Sequence, residues 1–363
     1  MAILNRLMAP AILLLMLACH QAELRQSPEA KTEIIPIRFD TITTVPPSQM
    51  IAQLTQLPLQ TQPGHPIGEI AKICTEGNRR IYVLDRIANE IEVFDRQGQF
   101  LFRIDRGGIG PGKFRAVSDL QVDPTSHGLG VLDALQTKFM AFDSTGALIK
   151  EYPLMGVVNV TKFSYVSQGN MIFSRGIPPD IDRLQYSLLL TNRELKIKKR
   201  LMHYEKSSSA VEGAYYPFQK LAGQTFYLPA YSPVLYQVDS NATKPIYTFD
   251  FGDKWISDEY AYEDIHANDY HWVFQDLPKS PYIYFLNYVL TQDKILLYYS
   301  FLGREYLTIY DKRSHQVVST RLNKDYKAIG FTADNGNTFD DGSYIGYKND
   351  SSHHTTLLIT RFK

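Results

Sequence analysis

The sequence has few cysteines and no excess of either charge. Only Cys19 and Cys74 occur among 363 residues, and neither belongs to a cysteine–histidine group with the spacing of a structural zinc site. Lysine plus arginine equals aspartate plus glutamate, at 38 each, so the chain has no surplus of positive charge with which to neutralise phosphates. The composition therefore disfavours nucleic acid as a partner and leaves stabilisation of the fold to an apolar core.

The chain also lacks an apolar run long enough to remain as a transmembrane helix. The run 7–18 would extend only about 18 Å as a helix, against about 30 Å for the hydrocarbon core of a bilayer. It follows Arg6 and precedes Cys19 and a polar stretch, which is the order of a signal peptide.

Residues 16–19, which are the last three residues of this run and the cysteine after it, resemble a known processing motif. Met16-Leu17-Ala18-Cys19 resembles the lipobox of bacterial lipoproteins, in which a small residue precedes a cysteine that is diacylated. The resemblance implies a signal peptide over residues 1–18, a lipid on Cys19 and a flexible tether over 19–33. The alternative is a secretory signal that is cleaved elsewhere, with Cys19 as an ordinary residue.

Beyond residue 33, short β-rich segments bounded by Gly, Asn, Asp and Pro recur, and helical periodicity is scarce. Two copies of one repeated unit can be recognised in the sequence. Asp85 and Asp95 end two strands of the first copy, and Asp133 and Asp143 end the matching strands of the second, each 48 residues later. Equal offsets indicate a duplicated meander of antiparallel strands.

The strands of this unit are apolar nearly throughout, as in 81–84, so both faces of each sheet need cover. A β-propeller provides that cover, because each blade lies between two neighbours. Weaker copies continue to the end of the chain and bring the count to six. The last copy ends after its third strand, so we predict an all-β, six-bladed β-propeller over residues 34–363, with its last blade closed by the N-terminal strand Ile34 to Asp40.

The second copy supports a more specific resemblance. It resembles an NHL-type propeller repeat through Phe114, Val122-Asp123, Val131 to Asp133, Phe142-Asp143 and Gly146, and the glycine-rich stretch 107–114 is similar to the connection between such blades. Together with the lipobox, the chain resembles the six-bladed propeller lipoproteins of Bacteroidetes. That resemblance implies a protein of the cell envelope, held by a lipid in the outer membrane of a Gram-negative bacterium, and implies little about activity.

Three motifs invite a chemical interpretation that the pattern does not favour. Gly107 to Lys113 nearly matches a phosphate-binding loop, but Phe114 replaces the required Ser or Thr and a strand follows instead of a helix. The repeated aspartates fit turn formation better than metal binding, because an Asp at a strand end accepts bonds from nearby backbone N–H groups. His353 and His354 are adjacent and would point to opposite faces of a strand.

The segment 251–279 is longer than the repeat requires and is rich in aromatic residues, which is typical of an elaborated loop over one propeller face. A metal or acid–base role for its two histidines remains an alternative. We expect the ligand contacts of this segment to come from Tyr260, Tyr262, His266, Tyr270, His271 and Trp272.

The first functional hypothesis is a binding or scaffolding module of the envelope, without catalytic residues or a cofactor, for a glycan, peptide or protein partner. The alternative is a hydrolase or lyase that uses the central funnel with calcium or zinc at the axis. It would require acidic and amide side chains from several blades to converge there.

Overall fold

A computed structural model of the chain describes residues 32–39, 42, 44–157, 159–175, 186–203, 216–229, 232–256, 279–283, 286–330, 338–339, 341–350 and 354–363. The contacts divide the chain into two units, Met1–Thr32 and Glu33–Lys363. The architecture that follows is that of the second unit. Over the described ranges, the helices are all too short or too polar to cross a membrane.

Six sheets succeed one another along the chain, and consecutive strands within each sheet pair antiparallel. The first three blades consist of β3 (Ile70–Glu76), β4 (Arg80–Asp85), β5 (Glu90–Asp95) and β6 (Phe100–Ile104); β7 (Asp119–Val122), β8 (Leu129–Asp133), β9 (Lys138–Phe142) and β10 (Leu148–Pro153); and β11 (Val160–Tyr165), β12 (Met171–Arg175), β13 (Tyr186–Thr191) and β14 (Ile197–His203).

The other three blades include two strands from the start of the chain, β1 and β2. They consist of β15 (Phe218–Leu221), β16 (Gln224–Tyr227), β17 (Val234–Val238), β18 (Thr243–Asp250) and β1 (Glu33–Pro36); β19 (Asn287–Leu290), β20 (Lys294–Phe301), β21 (Arg304–Asp311) and β22 (Val317–Arg321); and β23 (Tyr344–Asn349), β24 (Thr355–Phe362) and β2 (Ile51–Pro58). Short helices occur at Pro47–Met50 and Lys324–Ala328. The prediction of a six-bladed, nearly all-β propeller is confirmed.

Closure of the last blade by an N-terminal strand is also confirmed, but the strand is a different one. β2 pairs antiparallel with β24 and supplies the outermost strand of blade six. The predicted segment, Ile34 to Asp40, was the wrong choice, because its strand β1 pairs in parallel with β18 and adds a fifth strand to blade four. The side chains of β2 are mostly exposed. Its sequence is therefore less apolar than that of β1, which contains a buried isoleucine.

Both faces of each blade are buried against a neighbour. In β4, Ile81 and Val83 pack in the contact between blades six and one, whereas Tyr82 and Leu84 pack in the contact between blades one and two. Alternate residues of a strand point to opposite faces, so one strand serves both contacts. The six apolar clusters of the core correspond one to one with the six contacts between neighbouring blades, which we call seams.

The order of strands defines the two ends of the ring. First strands of successive blades contact one another, as β3 does with β7 and β7 with β11, which places them around the axis. The turns from first to second strand and from third to fourth strand lie at one end, the hairpin face. Because neighbouring strands are antiparallel, the second-to-third turns and the connections between blades lie at the other end, the crossover face.

The third-to-fourth turns begin with the same kind of residue in five blades. In each turn, a backbone N–H group a few residues later donates to the side chain of this first residue, at 2.5–3.0 Å. The five residues are Asp95, Asp143, Asn192, Asp239 and Asp311. Blade six needs no such turn, since its outermost strand, β2, comes from the start of the chain. The repeated aspartates are therefore turn residues, as predicted.

The N-terminal segment 33–58 passes along three blades. After β1 in blade four, the Phe39 ring packs against Phe301 of blade five, with 5.0 Å between the ring centroids. The Val45 amide then donates to the Thr320 hydroxyl at 2.8 Å, and the segment ends as β2 in blade six. The start of the chain thus connects blades four, five and six.

The anchoring of β1 can be tested with two neighbouring isoleucines. Ile35 is 1 % exposed within the seam between blades four and five, whereas Ile34 is 65 % exposed. We expect Ile35→Ala to lower the free energy of unfolding by about 2–4 kcal/mol because it removes buried methyl groups. Ile34→Ala, the matched control, should change it by less than about 0.5 kcal/mol in urea titrations. Equal effects would contradict the placement of β1.

A carboxylate is buried in the first blade at the seam with blade six. Glu92 lies on the same face of β5 as Phe94, which packs in that seam. Its Oε2 atom has no hydrogen-bond partner among the described residues. Its cross-strand neighbours are Val83 and Arg103. Burial, together with the neighbouring Glu90 carboxylate, raises the pKa of Glu92 to about 7, against the opposing effect of Arg103.

This raised pKa predicts a pH-dependent stability. A glutamate in the unfolded chain titrates near pH 4.3, so between about pH 4.3 and pH 7 the unfolded chain releases a proton that the folded protein retains. The free energy of unfolding therefore falls as the pH rises through that window, and the full loss is present above pH 7. We expect Glu92→Gln to raise it by roughly 1–3 kcal/mol at pH 8 and by much less at pH 4.5.

Urea unfolding at the two pH values measures the effect, with the exposed Glu194→Gln as the control that should behave as the unchanged protein. A Glu92→Gln variant with the same stability difference at both pH values would contradict the burial of an ionisable carboxylate at this seam.

Candidate functional site

Three charged side chains occupy equivalent positions on the first strands of three successive blades. Lys72 pairs across the sheet with Leu84, Asp119 with Leu132 and Lys162 with Ser174, and each partner directly precedes the last residue of its strand. First strands surround the axis, so these residues form the polar lining that a funnel site would use. We call them, with Tyr216, the axial cluster.

The axial cluster is bonded internally across blades. Lys72 forms an ion pair with the buried Asp119 carboxylate. The two oxygens of that carboxylate also accept the backbone N–H groups of Leu120 and Phe163, each at 2.9 Å, and Lys162 donates to the Ser118 carbonyl at 2.9 Å. These contacts link blades one, two and three.

The protonation states of Lys72 and of the nearby Cys74 do not favour nucleophilic chemistry. Burial alone would lower the pKa of Lys72, but the Asp119 carboxylate outweighs it and the pKa is raised. Burial raises the pKa of the Cys74 thiol to about 12, and its sulfur donates to the Leu120 carbonyl at 3.1 Å. At neutral pH the amine is therefore an ammonium and the thiol is protonated, and neither acts as a nucleophile in that form.

Tyr216 spans the ring axis. It precedes β15 in blade four, and its hydroxyl donates to the Ala71 carbonyl in blade one at 2.6 Å. Blade four lies opposite blade one in a ring of six, so this bond crosses the channel near its crossover end. The Lys72 ammonium lies 5.7 Å from the centre of the Tyr216 ring, within cation–π range.

The charge at this point opposes cation binding. The axial cluster contains two ammonium groups and one carboxylate, so its net charge is positive. Within the described part of the chain, groups of three or more His, Cys, Asp or Glu side chains that could hold a metal ion do not occur.

A cavity of about 610 Å³ opens on the hairpin face between the first hairpins of blades two, three and four. Its polar groups are engaged: Arg193 forms an ion pair with Asp123 at 3.0 Å, and Lys220 lies 5.7 Å from the Tyr165 ring centre. Burial raises the pKa of the Tyr165 hydroxyl above its ordinary value, so the phenol is neutral at physiological pH. The described lining of the cavity thus presents a neutral phenol and two basic side chains that are held by these contacts.

The glycine-rich stretch is a connection between blades, as predicted. It runs from the end of β6 to Phe114 before β7, with no helix after it. The Gly110 amide donates to the Gln136 carboxamide at 3.3 Å and the Gly112 amide to Glu151 at 2.8 Å. These amides are engaged within the protein, which removes the phosphate-binding interpretation.

The first repeated aspartate of each copy, Asp85 and Asp133, forms hydrogen bonds at the crossover face. Asp85 accepts the backbone amides of Gly68 and Ile87, at 2.6 and 2.8 Å, and Asp133 accepts those of Arg115 and Gln136, at 2.6 and 2.9 Å. Each carboxylate thus joins a second-to-third turn to the connection that enters its blade.

Several predicted site residues lie outside the described residues, namely Cys19, His353, Tyr260, Tyr262, His266, Tyr270, His271 and Trp272. His354 is described, is exposed and lies 3.3 Å from Asp350. The strands on either side of 257–278 are β18 and β19, the last of blade four and the first of blade five. The end of β18 and the start of β19 both lie at the crossover face.

The axial cluster was missed in the sequence, although a signal was present. Lys72 lies between Ala71 and Ile73 in β3, and Lys162 directly precedes Phe163 in β11. A charge in such a position needs a partner when it is buried. The partner could not be named, because Asp119 lies 47 residues after Lys72 and in a different blade.

The comparisons agree with this architecture. A family model described as "6-bladed beta-propeller", DUF5128, matches residues 25–341. None of the curated proteins matches the chain significantly. Among solved structures, a protein from Bacteroides fragilis that is predicted to be exported is similar, with a TM-score of 0.79 at 19 % identity, covering 91 % of this chain and 99 % of that one.

A DUF4221 family member from Bacteroides vulgatus is similar with a TM-score of 0.57 at 13 % identity, over 86 % of this chain and 97 % of that one. Virginiamycin B lyase from Staphylococcus aureus reaches only 0.45 at 11 % identity, over 85 % and 99 % of the two chains, which carries no argument about activity. Because the family model spans most of the sequence, this chain belongs to the DUF5128 family of six-bladed β-propellers.

Proposed function

We propose that this protein is a lipid-anchored propeller of the bacterial cell envelope, with NHL-like repeats, that binds a glycan, peptide or protein through its crossover face. The observation that carries the proposal is the contrast between the axis and that face. Near its crossover end the channel contains Tyr216 and the Lys72–Asp119 pair, bonded to one another and to the backbone. A substrate in the funnel would have to displace these bonds.

The crossover face is where the chain departs most from the repeat. The segments 176–185, 204–215 and 257–278 each join strands whose facing ends lie at the crossover face. Long connections on a rigid scaffold are the usual location of binding residues. The hairpin face, in contrast, has mostly short turns held by Asp and Asn side chains.

The proposed anchor rests on the resemblance of Met16-Leu17-Ala18-Cys19 to a lipobox. The stretch that follows Cys19 is polar, as is typical of a flexible tether. A tether of about 14 residues has a typical end-to-end distance of about 20 Å.

The two cysteines allow a matched test of the anchor. We expect Cys19→Ala to move the protein from the membrane fraction to the aqueous fraction of cells, because the acyl chains are the proposed membrane contact. Cys74→Ala should leave the protein with the membranes, since that thiol is buried within the propeller. A Cys19→Ala variant that still sediments with membranes would contradict the anchor.

The aromatic segment between blades four and five supplies the second test. Binding of the purified protein to an array of bacterial and host glycans should include at least one ligand whose affinity falls more than tenfold in Trp272→Ala, because large aromatic side chains dominate binding energy at contact sites. Trp272→Phe, which keeps a ring, should retain most of the affinity. Glycan binding that is unchanged in Trp272→Ala would remove this segment from the proposed contact surface.

A further inference from the structure

Four aliphatic side chains project from the crossover face of blades one and two. They are Ile87, Ile109, Leu135 and Met155, with exposed fractions of 72, 74, 66 and 83 %. In the described part of the chain, these are the four most exposed of the large aliphatic side chains. Single exposed apolar residues are common on protein surfaces, so what matters is whether these four belong to one surface.

Hydrogen bonds join the four turns in sequence. Asn89, in the turn of Ile87, donates to the Phe114 carbonyl at 3.2 Å, at the end of the glycine-rich connection that carries Ile109. Gln136, next to Leu135, donates to the Gly108 carbonyl at 3.1 Å.

The fourth turn follows from the third. The Leu154 amide donates to the Thr137 carbonyl at 2.9 Å, which holds the turn of Met155 against the turn of Leu135. The four turns therefore form one continuous surface, which we call the apolar ridge.

The turns of the ridge are held in fixed conformations. Ile87 and Leu135 are each the second residue after a buried aspartate, and the Asp85 and Asp133 carboxylates accept amides within those turns. Asn89 and Thr137 close the turns with φ of 53° and 50°, a region that few residues other than glycine adopt. Apolar side chains on such preformed turns lose little backbone freedom on binding.

The glycine-rich connection beside the ridge carries three basic residues, Arg106, Lys113 and Arg115, and one acidic residue, Asp105. Arg106 and Lys113 line a polar cavity of about 630 Å³ beside the glycine-rich connection, together with Asp105, and Arg115 is exposed directly after it. Arg86 is paired with Glu69 at 2.5 Å. Among described residues, Lys113 and Arg115 take part in none of the ion pairs. Two basic side chains are therefore available beside the apolar ones.

We propose that the apolar ridge docks a segment of a partner protein that carries large apolar side chains flanked by acidic residues. This proposal rests on the proposed function, since it takes the crossover face as the binding face. Complementary charge around an apolar centre is the usual arrangement of a protein interface. A second copy of this chain fits less well, because a two-fold contact would bring the two positive rims together.

The test uses purified full-length protein and a displayed library of random 12-residue peptides. Selected peptides are expected to share at least two large apolar residues and a net negative charge. Their affinity, measured by fluorescence anisotropy, should fall more than tenfold when Ile87, Ile109, Leu135 and Met155 are all changed to Ser. It should fall roughly three- to tenfold in Lys113→Glu/Arg115→Glu, and this loss should diminish at high salt.

Leu101→Ser/Ile149→Ser is the matched control, because both residues are exposed on outermost strands away from the ridge. Its affinity should stay within twofold of the unchanged protein. Thermal unfolding should be the same in all variants, since every altered side chain is exposed.

Three outcomes would overturn the proposal: peptide affinities that the ridge variant leaves unchanged, sedimentation with phosphatidylglycerol vesicles that is lost in the ridge variant, or self-association that is lost in it. If peptides or glycans bind but depend on Trp272 and not on the ridge, the proposed function stands and the ridge fails. If the unchanged protein binds neither the peptides nor the glycans, both proposals fail.

Discussion

The cover that each blade needs on both of its faces is the constraint on which this structure depends. A meander such as β3 to β6 carries apolar residues on both sides of every central strand, so alone it would expose as much apolar surface as it buried. Placing it between two neighbours removes both faces from water, and repeating the placement six times leaves no blade with an uncovered side. The six apolar clusters, one at each seam, are the direct result.

A ring built in this way has one seam that the order of the chain cannot close by itself, the seam between the last blade and the first. The start of the chain provides the closure by supplying β2 to blade six, next to the C-terminal strand β24. The same segment reaches this place along blades four and five, with Ile35 and Phe39 packed between them. Loss of contact at any of the three blades therefore weakens the closure at the others, which makes the N-terminal segment a part of the fold's cooperativity.

Polar groups inside the ring have a structural role. The Lys72–Asp119 pair, the Asp119 bonds to two neighbouring backbone amides and the Tyr216 contact across the axis join first strands that have few side chains with which to interlock. A buried charge pair stabilises a fold only when its remaining hydrogen bonds are made, and here Asp119 also accepts amides from blades two and three. The proposed recognition therefore uses a face of the ring, where the crossover connections and the apolar ridge lie.

The architecture was largely predictable from the sequence, and the site was predictable only in part. The 48-residue repeat and the turn aspartates depend on neighbouring residues in the chain, so a local pattern reveals them. The closing strand was misassigned because β2 is an outermost strand with mostly exposed side chains, whereas the more apolar β1 resembles a core strand. Ile87 and Leu135 are apolar residues of the kind expected in a core, and they are exposed only because of the turns in which they lie.

The sequence by itself determined the meander, the number of blades and the chemistry of the turns, since these follow from short-range periodicity and from residues a few positions apart. Tertiary structure alone decided which strand closes the ring, which charges meet at the axis and which apolar side chains face water. Those outcomes depend on contacts between blades that are 47 to about 280 residues apart along the chain, and no local pattern contains the partner of such a contact.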